Sequence, residues 1–175
     1  MSEKKVIAVI VEGPSDERAI GGTLKEFFSS EEVQFAVVHG DVTSDVTTTV
    51  GNVVKKVHSI IDGIRNKYGY KWTDFIRVIH IADTDGAFSK NSVIKSDAEE
   101  ILYFEDHIES ANVATTEQRN KHKSEIMHRL SSTGRVHGIT YSLYFNSCNL
   151  EHVLYKELKN FSDEEKEDMA DDFAG

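Results

Sequence analysis

The sequence predicts an α/β fold in which helices flank a central, mostly parallel sheet of about four strands. Three apolar runs have the β-branched composition of buried parallel strands: VIAVIV (6–11), VQFAVVHG (33–40) and FIRVIHIAD (75–83). Segments with helical spacing separate these runs, so the first half of the chain has the order β-α-β-α-β. This order implies right-handed crossovers and a ligand site beyond the carboxyl ends of the strands.

Both connecting segments of this first half are predicted to be helices. Gly13 and Pro14 form the turn after the first strand, and Ser15 or Asp16 can cap a helix that extends to about Phe28. In the second segment, apolar side chains recur at three- and four-residue steps, which indicates a long amphipathic helix. These side chains are Val46, Val50, Val53, Val57, Ile60 or Ile61, and Ile64.

The second half of the chain is less regular. Residues 88–96 have the composition of a loop, whereas EEILYFEDHIESAN (99–112) fits either a strand or a short helix. Thr115 or Thr116 can cap a helix over EQRNKHKSEIMHRLSS. The remaining predicted elements are a fourth strand over HGITYSLYFNS (137–147) and a helix over NLEHVLYKELKNF that begins at Asn149.

Length and composition indicate a single globular domain. The chain has 175 residues, of which 39% are hydrophobic and 29% charged, enough for one core. We expect this domain to cover residues 1–161 with an insert at about 88–137, and residues 162–175 to be an acidic tail that can begin a further segment. The longest apolar run is far shorter than a membrane span, so no membrane association is expected. The single cysteine, Cys148, excludes an internal disulfide, so a reducing cytoplasm is the expected location, and the oligomeric state stays open.

Four carboxylates are expected to converge at one edge of the predicted sheet. Glu12 and Asp16 follow the first strand, and Asp83 and Asp85 follow the third. Carboxylates that converge without cationic partners repel one another, and a hard divalent cation with oxygen ligands would relieve that repulsion. The pattern therefore predicts a site for Mg²⁺ or Mn²⁺.

These motifs resemble the Toprim domain, which topoisomerases, bacterial primases, small ribosomal-RNA maturases and the overcoming-lysogenization-defect nucleases share. The matching segments are VEGPSD and IADTDG with the β-α-β-α-β order between them, so the resemblance covers residues 6–87. FNSCNLEHVL is loosely similar to a segment of phage-defence Toprim proteins in which a glutamate, here Glu151, opens a helix near the site. The resemblance implies a Rossmann-like Toprim fold in a small stand-alone protein.

The resemblance also implies an activity and a set of roles. The protein would be a Mg²⁺-dependent phosphodiesterase, a nuclease acting on DNA or RNA, with a role in phage defence. Asp83 and Asp85 would bind the metal, and Glu12 would be the general acid/base or a metal ligand through water. Asp16 would be an auxiliary ligand or a helix cap, and Glu151 is a further auxiliary candidate.

Contacts to a substrate phosphate are expected from glycines and from a basic segment. The net charge is −10, and because residues 162–175 carry −6 of it, the rest of the chain carries −4. Bulk charge therefore opposes nucleic-acid binding, which would need a local basic patch or bound cations. Residues 117–135 have a local charge of +3. The candidate phosphate contacts are Gly13, Gly86, Arg119, Lys121 and Lys123.

Two other functions fit the same residues. A non-catalytic Toprim-like module would keep the acids for metal binding or folding and would bind a partner ATPase or nucleic acid. A haloacid-dehalogenase-like phosphatase would use Asp83 as nucleophile and Asp85 as acid/base. In that alternative, Ser147 would supply the hydroxyl after the fourth strand, and Asp171 and Asp172 the late acidic pair.

Overall fold

A computed structural model describes residues 5–27, 33–89, 93–158 and 161–174, which form eight strands, five α-helices and one short 3₁₀ helix (Trp72–Asp74). The strands are β1 (Lys5–Val11), β2 (Val33–His39), β3 (Phe75–Asp83), β4 (Val93–Lys95), β5 (Leu102–Tyr103), β6 (Ile108–Ser110), β7 (Arg135–Val136) and β8 (Ile139–Asn146). The helices are α1 (Pro14–Phe27), α2 (Val53–Tyr68), α3 (Val113–Ser131), α4 (Leu150–Tyr155) and α5 (Asp163–Ala174). Within these ranges, no helix is both long enough and apolar enough to cross a membrane.

The central sheet has five strands in the order β2-β1-β3-β8-β7. Neighbouring strands from β2 to β8 are parallel, and only the two-residue edge strand β7 runs antiparallel to its neighbour. The predicted α/β fold with a mostly parallel sheet is therefore confirmed. The four predicted strands are β1, β2, β3 and β8, and β7 adds a short fifth strand through a turn before β8.

Helices cover both faces of this sheet, as the continuous apolar runs require. On one face, side chains of β1 such as Val6 and Ile10 pack in one cluster with Ile61 of α2 and Ile126 of α3. On the other face lies α1, where an added Cβ at Gly21 would stand 3.8 Å from Val37 of β2. Each aliphatic side chain fully buried in these layers contributes about 1.5–3 kcal/mol.

The second helix is shorter than its apolar spacing predicts. It begins at Val53 rather than Val46, whose side chain is 89% exposed in the preceding loop. In that loop, the Asp45 carboxylate accepts hydrogen bonds from the backbone N–H and the hydroxyl of Thr47. Asp and Thr side chains that bond nearby backbone compete with helix formation, so the valines before position 53 stay outside the helix.

The insert between β3 and β8 forms a small second sheet and the long helix α3. The predicted loop over 88–96 is wrong at its end, because β4 lies there, and the undecided segment 99–112 forms β5 and β6 in the order β4-β6-β5. Neither Thr115 nor Thr116 caps α3. The cap is Asn112, whose side chain accepts from the Thr115 N–H at 3.2 Å.

The C-terminal segment carries two helices. Asn149 caps α4 as predicted, since its side chain accepts from the His152 N–H at 2.8 Å, but the helix ends before Lys156, which has φ 61°. The acidic tail forms α5. This helix packs against α1, where Arg18 and Asp171 form a 3.1 Å ion pair.

The turn after β3 depends on a glycine. Gly86 has φ 75°, and an added Cβ would lie 2.4 Å from Cδ1 of Ile108. We expect Gly86→Ala to lower the free energy of unfolding by about 1–3 kcal/mol. Gly63→Ala is the matched control, because Gly63 lies inside α2 with no described atom within 4 Å of the new Cβ. It should raise stability by about 0.5–1 kcal/mol, and urea unfolding of both variants measures the contrast.

Candidate functional site at the carboxyl edge of the sheet

The carboxyl ends of the parallel strands meet at one edge of the sheet, where the candidate residues collect. Glu12 directly follows β1, which pairs in parallel with β3, so it lies beside the turn that carries Asp85. Asp83 is the last residue of β3 and pairs in register with Asn146 of β8. The fold thus brings together carboxylates that are distant in sequence, as the strand order predicts.

A buried ammonium group stands among these carboxylates. The Lys123 side chain is 1% exposed, and its Nζ lies 3.1 Å from Oε2 of Glu12 and 2.5 Å from Oδ2 of Asp85. It also donates to the Ser44 hydroxyl at 3.1 Å. The expectation that the carboxylates converge without a cationic partner is therefore wrong, because α3 supplies one.

The position of Lys123 follows from the apolar stripe of α3. Ile126, Met127 and Leu130 are buried, and Lys123 precedes them at the spacing that completes the same face. A lysine on a buried helical face needs a partner for its charge, and the carboxylates provide it. This pattern is a sequence signal that could have identified Lys123 as a buried residue, although it does not identify the carboxylates that neutralise it.

The opposite charges of Lys123 and its carboxylate partners offset the energetic cost of burying them. Burial disfavours the ammonium of Lys123, but Glu12 and Asp85 outweigh it and raise the pKa of Lys123. Burial raises the pKa of Glu12, although Lys123 and the hydroxyl of Thr43, which donates to Glu12, both oppose that rise. The lysine is therefore charged at neutral pH, and Glu12 is a carboxylate of raised basicity.

Asp83 is in a different situation from Glu12 and Asp85. Its Oδ1 accepts a 2.9 Å hydrogen bond from Nδ2 of Asn146, and none of the described basic side chains forms an ion pair with it. Burial, followed by the charge of Glu12, raises the pKa of Asp83 to about 8. Asp83 therefore holds a proton at neutral pH unless a cation replaces it.

Asp16 belongs to the same edge but acts on the first helix. Because α1 begins at Pro14, Asp16 lies in its first turn, and neither Ser15 nor Asp16 is the N-cap. Asp16 instead accepts from the backbone N–H of Gly13 at 3.0 Å, so this N–H is already occupied and does not face a phosphate. Burial and the charge of Glu151 raise the pKa of Asp16, opposed by the Gly13 N–H. Glu151 itself is buried in the first turn of α4.

The other candidate phosphate contacts separate into two groups. Arg119 lies 3.4 Å from Oδ2 of Asp85 and donates to the Tyr103 hydroxyl at 3.2 Å, so it borders the cluster. Lys121 is 77% exposed and pairs at 4.0 Å with Glu125, away from the carboxylates. The side chain of Ile108 fills the space beside Gly86. The absence of a side chain at Gly86 therefore allows Ile108 to pack there and does not leave room for a phosphate.

Three polar residues of the site have no place in the sequence-based prediction. Thr43 and Ser44 follow β2, and Asn146 ends β8, so each lies at the carboxyl end of a parallel strand. The same rule that identified Glu12 and Asp83 could have found them. They were missed because hydroxyls and amides after a strand are also ordinary loop residues.

The carboxylate oxygens of this edge are suitable ligands for a hard cation, but in this structure the ammonium group of Lys123 binds two of the carboxylates. The cluster has five carboxylates, Glu12, Asp16, Asp83, Asp85 and Glu151, and two contacting basic side chains, Lys123 and Arg119. Oxygen donors with excess negative charge fit Mg²⁺ or Mn²⁺. Among the described residues, however, no three His, Cys, Asp or Glu side chains are arranged to hold one ion.

In the phosphatase alternative, Asp171 belongs to the late acidic pair, but its side chain forms an ion pair away from the carboxyl edge of the sheet. Asp171 lies on α5, where its side chain is 65% exposed and pairs with Arg18. This ion pair joins α5 to α1 and gives Asp171 a role on the surface.

The fold and the site define an α/β protein with a buried carboxylate–lysine cluster at the carboxyl edge of its sheet. No protein-family model matches the sequence, and no curated protein matches it. The resemblance to the Toprim domain therefore depends on the two motifs and the strand order alone.

The raised pKa of Asp83 predicts a dependence of stability on pH. A carboxyl group that titrates near pH 8 when folded and near 3.8 when unfolded stabilises the fold fully below pH 3.8. That contribution falls as the pH rises toward 8. We expect Asp83→Asn, which keeps the acceptor for Asn146, to raise the free energy of unfolding at pH 8 by on the order of 3 kcal/mol. Urea unfolding at pH 5.5 and pH 8 measures the effect, and exposed Asp97→Asn is the control.

The buried ammonium predicts a contrast between two lysines of one helix. Lys123→Met leaves the partly buried Glu12 without its ammonium partner and Asp85 with Arg119 alone, so the free energy of unfolding at pH 8 should fall by about 3–5 kcal/mol. The loss should be smaller at pH 5.5, because Glu12, whose pKa burial raises, takes up a proton more readily there. Lys121→Met should change stability by less than about 0.5 kcal/mol. Equal effects of the two changes would contradict the buried ion network.

Proposed function

We propose that the carboxyl edge of the sheet is a phosphodiesterase site and that the protein is a Toprim-type, Mg²⁺-dependent nuclease acting on DNA or RNA. The observation that carries the proposal is the state of Asp83. Its carboxyl group lies beside Glu12 with a pKa of about 8, even though Lys123 and Arg119 are in the same cluster. A further cation bound here would relieve this excess of negative charge.

Each residue has a role that follows from its contacts. Asp83 and Asp85, at the two ends of one short turn, would hold the metal, with Glu12 beside them, and Mn²⁺ could replace Mg²⁺. A bound divalent cation supplies neutralisation of the phosphoryl oxygens. Arg119 contacts Asp85 at the border of the cluster, and its guanidinium would bind a non-bridging phosphate oxygen.

Proton transfer falls to the pair of Glu12 and Lys123. Glu12 has a raised pKa and would accept a proton from the attacking water as the new P–O bond forms. The bond to the leaving ester oxygen then breaks, and that oxygen needs a proton. Glu12 would return the proton to that oxygen, and Lys123, which is charged and lies 3.1 Å from Glu12, would favour the deprotonated form of Glu12 that starts the cycle.

The alternative of a non-catalytic module is favoured by one observation. Lys123 pairs directly with Glu12 and Asp85, so these acids also serve to hold α3 against the sheet. In that case the cluster would be structural, and the protein would bind a partner ATPase or nucleic acid. The roles in phage defence and the ATPase partner are extensions of the Toprim resemblance.

Cleavage and metal binding test the proposal together. We expect Glu12→Gln and Asp83→Asn each to reduce Mn²⁺-supported cleavage of single-stranded and plasmid DNA and of RNA by at least about 100-fold. Circular dichroism should show an unchanged fold. Glu125→Gln is the control, because Glu125 is exposed on α3 and, within the described part of the chain, its ion pair is with Lys121, away from the cluster.

Calorimetric titration of the wild-type protein with Mn²⁺ separates the two functions. Binding that is lost in Asp83→Asn supports a metal site at Asp83, and cleavage that is lost in the same variant supports the nuclease. Cleavage that survives both substitutions places the chemistry elsewhere. A wild-type protein that binds neither Mn²⁺ nor Mg²⁺ at pH 8 favours the non-catalytic module.

A further inference from the structure

A large cavity opens beside the carboxylate cluster. Its volume is about 810 Å³, within the roughly 300–1,000 Å³ of pockets that bury a small organic ligand. Thr84 and Gly86, which alternate with Asp83 and Asp85 in the turn after β3, line one end of it. The cavity and the candidate catalytic groups therefore share one turn of the backbone.

Aromatic side chains form part of the wall of the cavity, together with aliphatic ones. Phe88, Tyr103, Phe104 and Phe145 line it, and Phe145 is 65% exposed although it belongs to the central sheet. Exposed aromatic rings beside a concave site are surfaces on which a planar ligand can stack.

Polar groups interrupt this aromatic wall. The lining also includes Glu105, His128, His152 and Ser131, which can donate or accept hydrogen bonds. A cavity for a lipid chain would need no such groups, whereas a planar heterocycle with polar edges uses both the rings and the hydrogen-bonding side chains.

One chain of contacts connects the cavity to the cluster. Tyr103 lines the cavity, its hydroxyl accepts from Arg119 at 3.2 Å, and Arg119 lies 3.4 Å from Asp85. A ligand in the cavity thus lies next to a guanidinium group that can bind a phosphate. The two halves of a nucleotide, an aromatic base and an anionic phosphate, match the two neighbouring environments.

We propose that this cavity binds an unpaired nucleobase adjacent to the phosphodiester at the carboxylate cluster, so that the substrate is single-stranded nucleic acid. The inference rests on the proposed nuclease function and specifies its substrate class. A base held within a duplex is stacked and paired and cannot enter a cavity of this kind without leaving the helix.

Binding of matched strands tests the cavity separately from catalysis. The probes are a fluorescently labelled single-stranded oligonucleotide and an abasic strand of the same length and charge, titrated at low salt in EDTA and in Ca²⁺. Wild-type protein should bind the base-containing strand about tenfold more tightly than the abasic strand, the effect of roughly one stacked base. A duplex of the same sequence should bind more weakly than the single strand.

Neighbouring residues of β8 provide the variant and its control. Phe145→Ala should weaken binding of the base-containing strand about tenfold and leave the abasic strand unchanged. Tyr144→Ala should change neither, because Tyr144 is also exposed, at 53%, but does not line the cavity. Ser131→Trp, which fills the cavity from the end of α3, should reproduce the effect of Phe145→Ala.

The results distinguish failure of the cavity from failure of the nuclease. Equal affinities for base-containing and abasic strands, equal effects of Phe145→Ala on both, or no binding of either strand would overturn the proposed base site. A base-dependent affinity with identical values in EDTA and Ca²⁺ and no cleavage would leave the base site standing without the nuclease.

Discussion

The ammonium group of Lys123 determines where α3 and the insert lie. A charge that is 1% exposed must have partners, and here they are Glu12 after β1, Ser44 after β2 and Asp85 after β3. One side chain therefore joins the insert to the ends of three strands. The same ion pairs fix Glu12 and Asp85, so the geometry of the site and the packing of α3 depend on each other.

This interaction divides the cluster into two parts. Glu12 and Asp85 are compensated by Lys123, whereas Asp83, with its pKa near 8, shares its surroundings with the charges of Glu12, Asp16 and Asp85. Asp83 has no ion-pair partner among the described residues, so its carboxyl group is the one expected to bind a proton or a metal ion. A structural role for the ion pairs of Lys123 is therefore compatible with a chemical role for the carboxylates of the same edge, and the presence of the lysine does not exclude catalysis.

The extent of agreement between sequence and structure has physical causes. β1 is predictable because side chains on both of its faces are buried, and β3 because buried side chains on one face alternate with partly buried ones on the other. The edge rule then places Glu12 and Asp83 together. The start of α2 is not predictable from apolar spacing, because hydrogen bonds of Asp45 in the loop decide it. The position of Lys123 depends on contacts between α3 and residues far away in sequence, and no local pattern identifies those partners.

The insert links the chemistry of the sheet edge to the selection of a substrate. The sheet contributes the carboxylates, while the insert contributes Lys123 and Arg119 at the cluster and Tyr103 in the wall of the cavity. Because Arg119 touches both Asp85 and Tyr103, a ligand that moves Tyr103 also changes the charge environment of Asp85. If the cavity holds a base, its binding and the positioning of the neighbouring phosphate are coupled through this single arginine. Specificity would then reside in the insert, and the parallel sheet would supply the reactive groups.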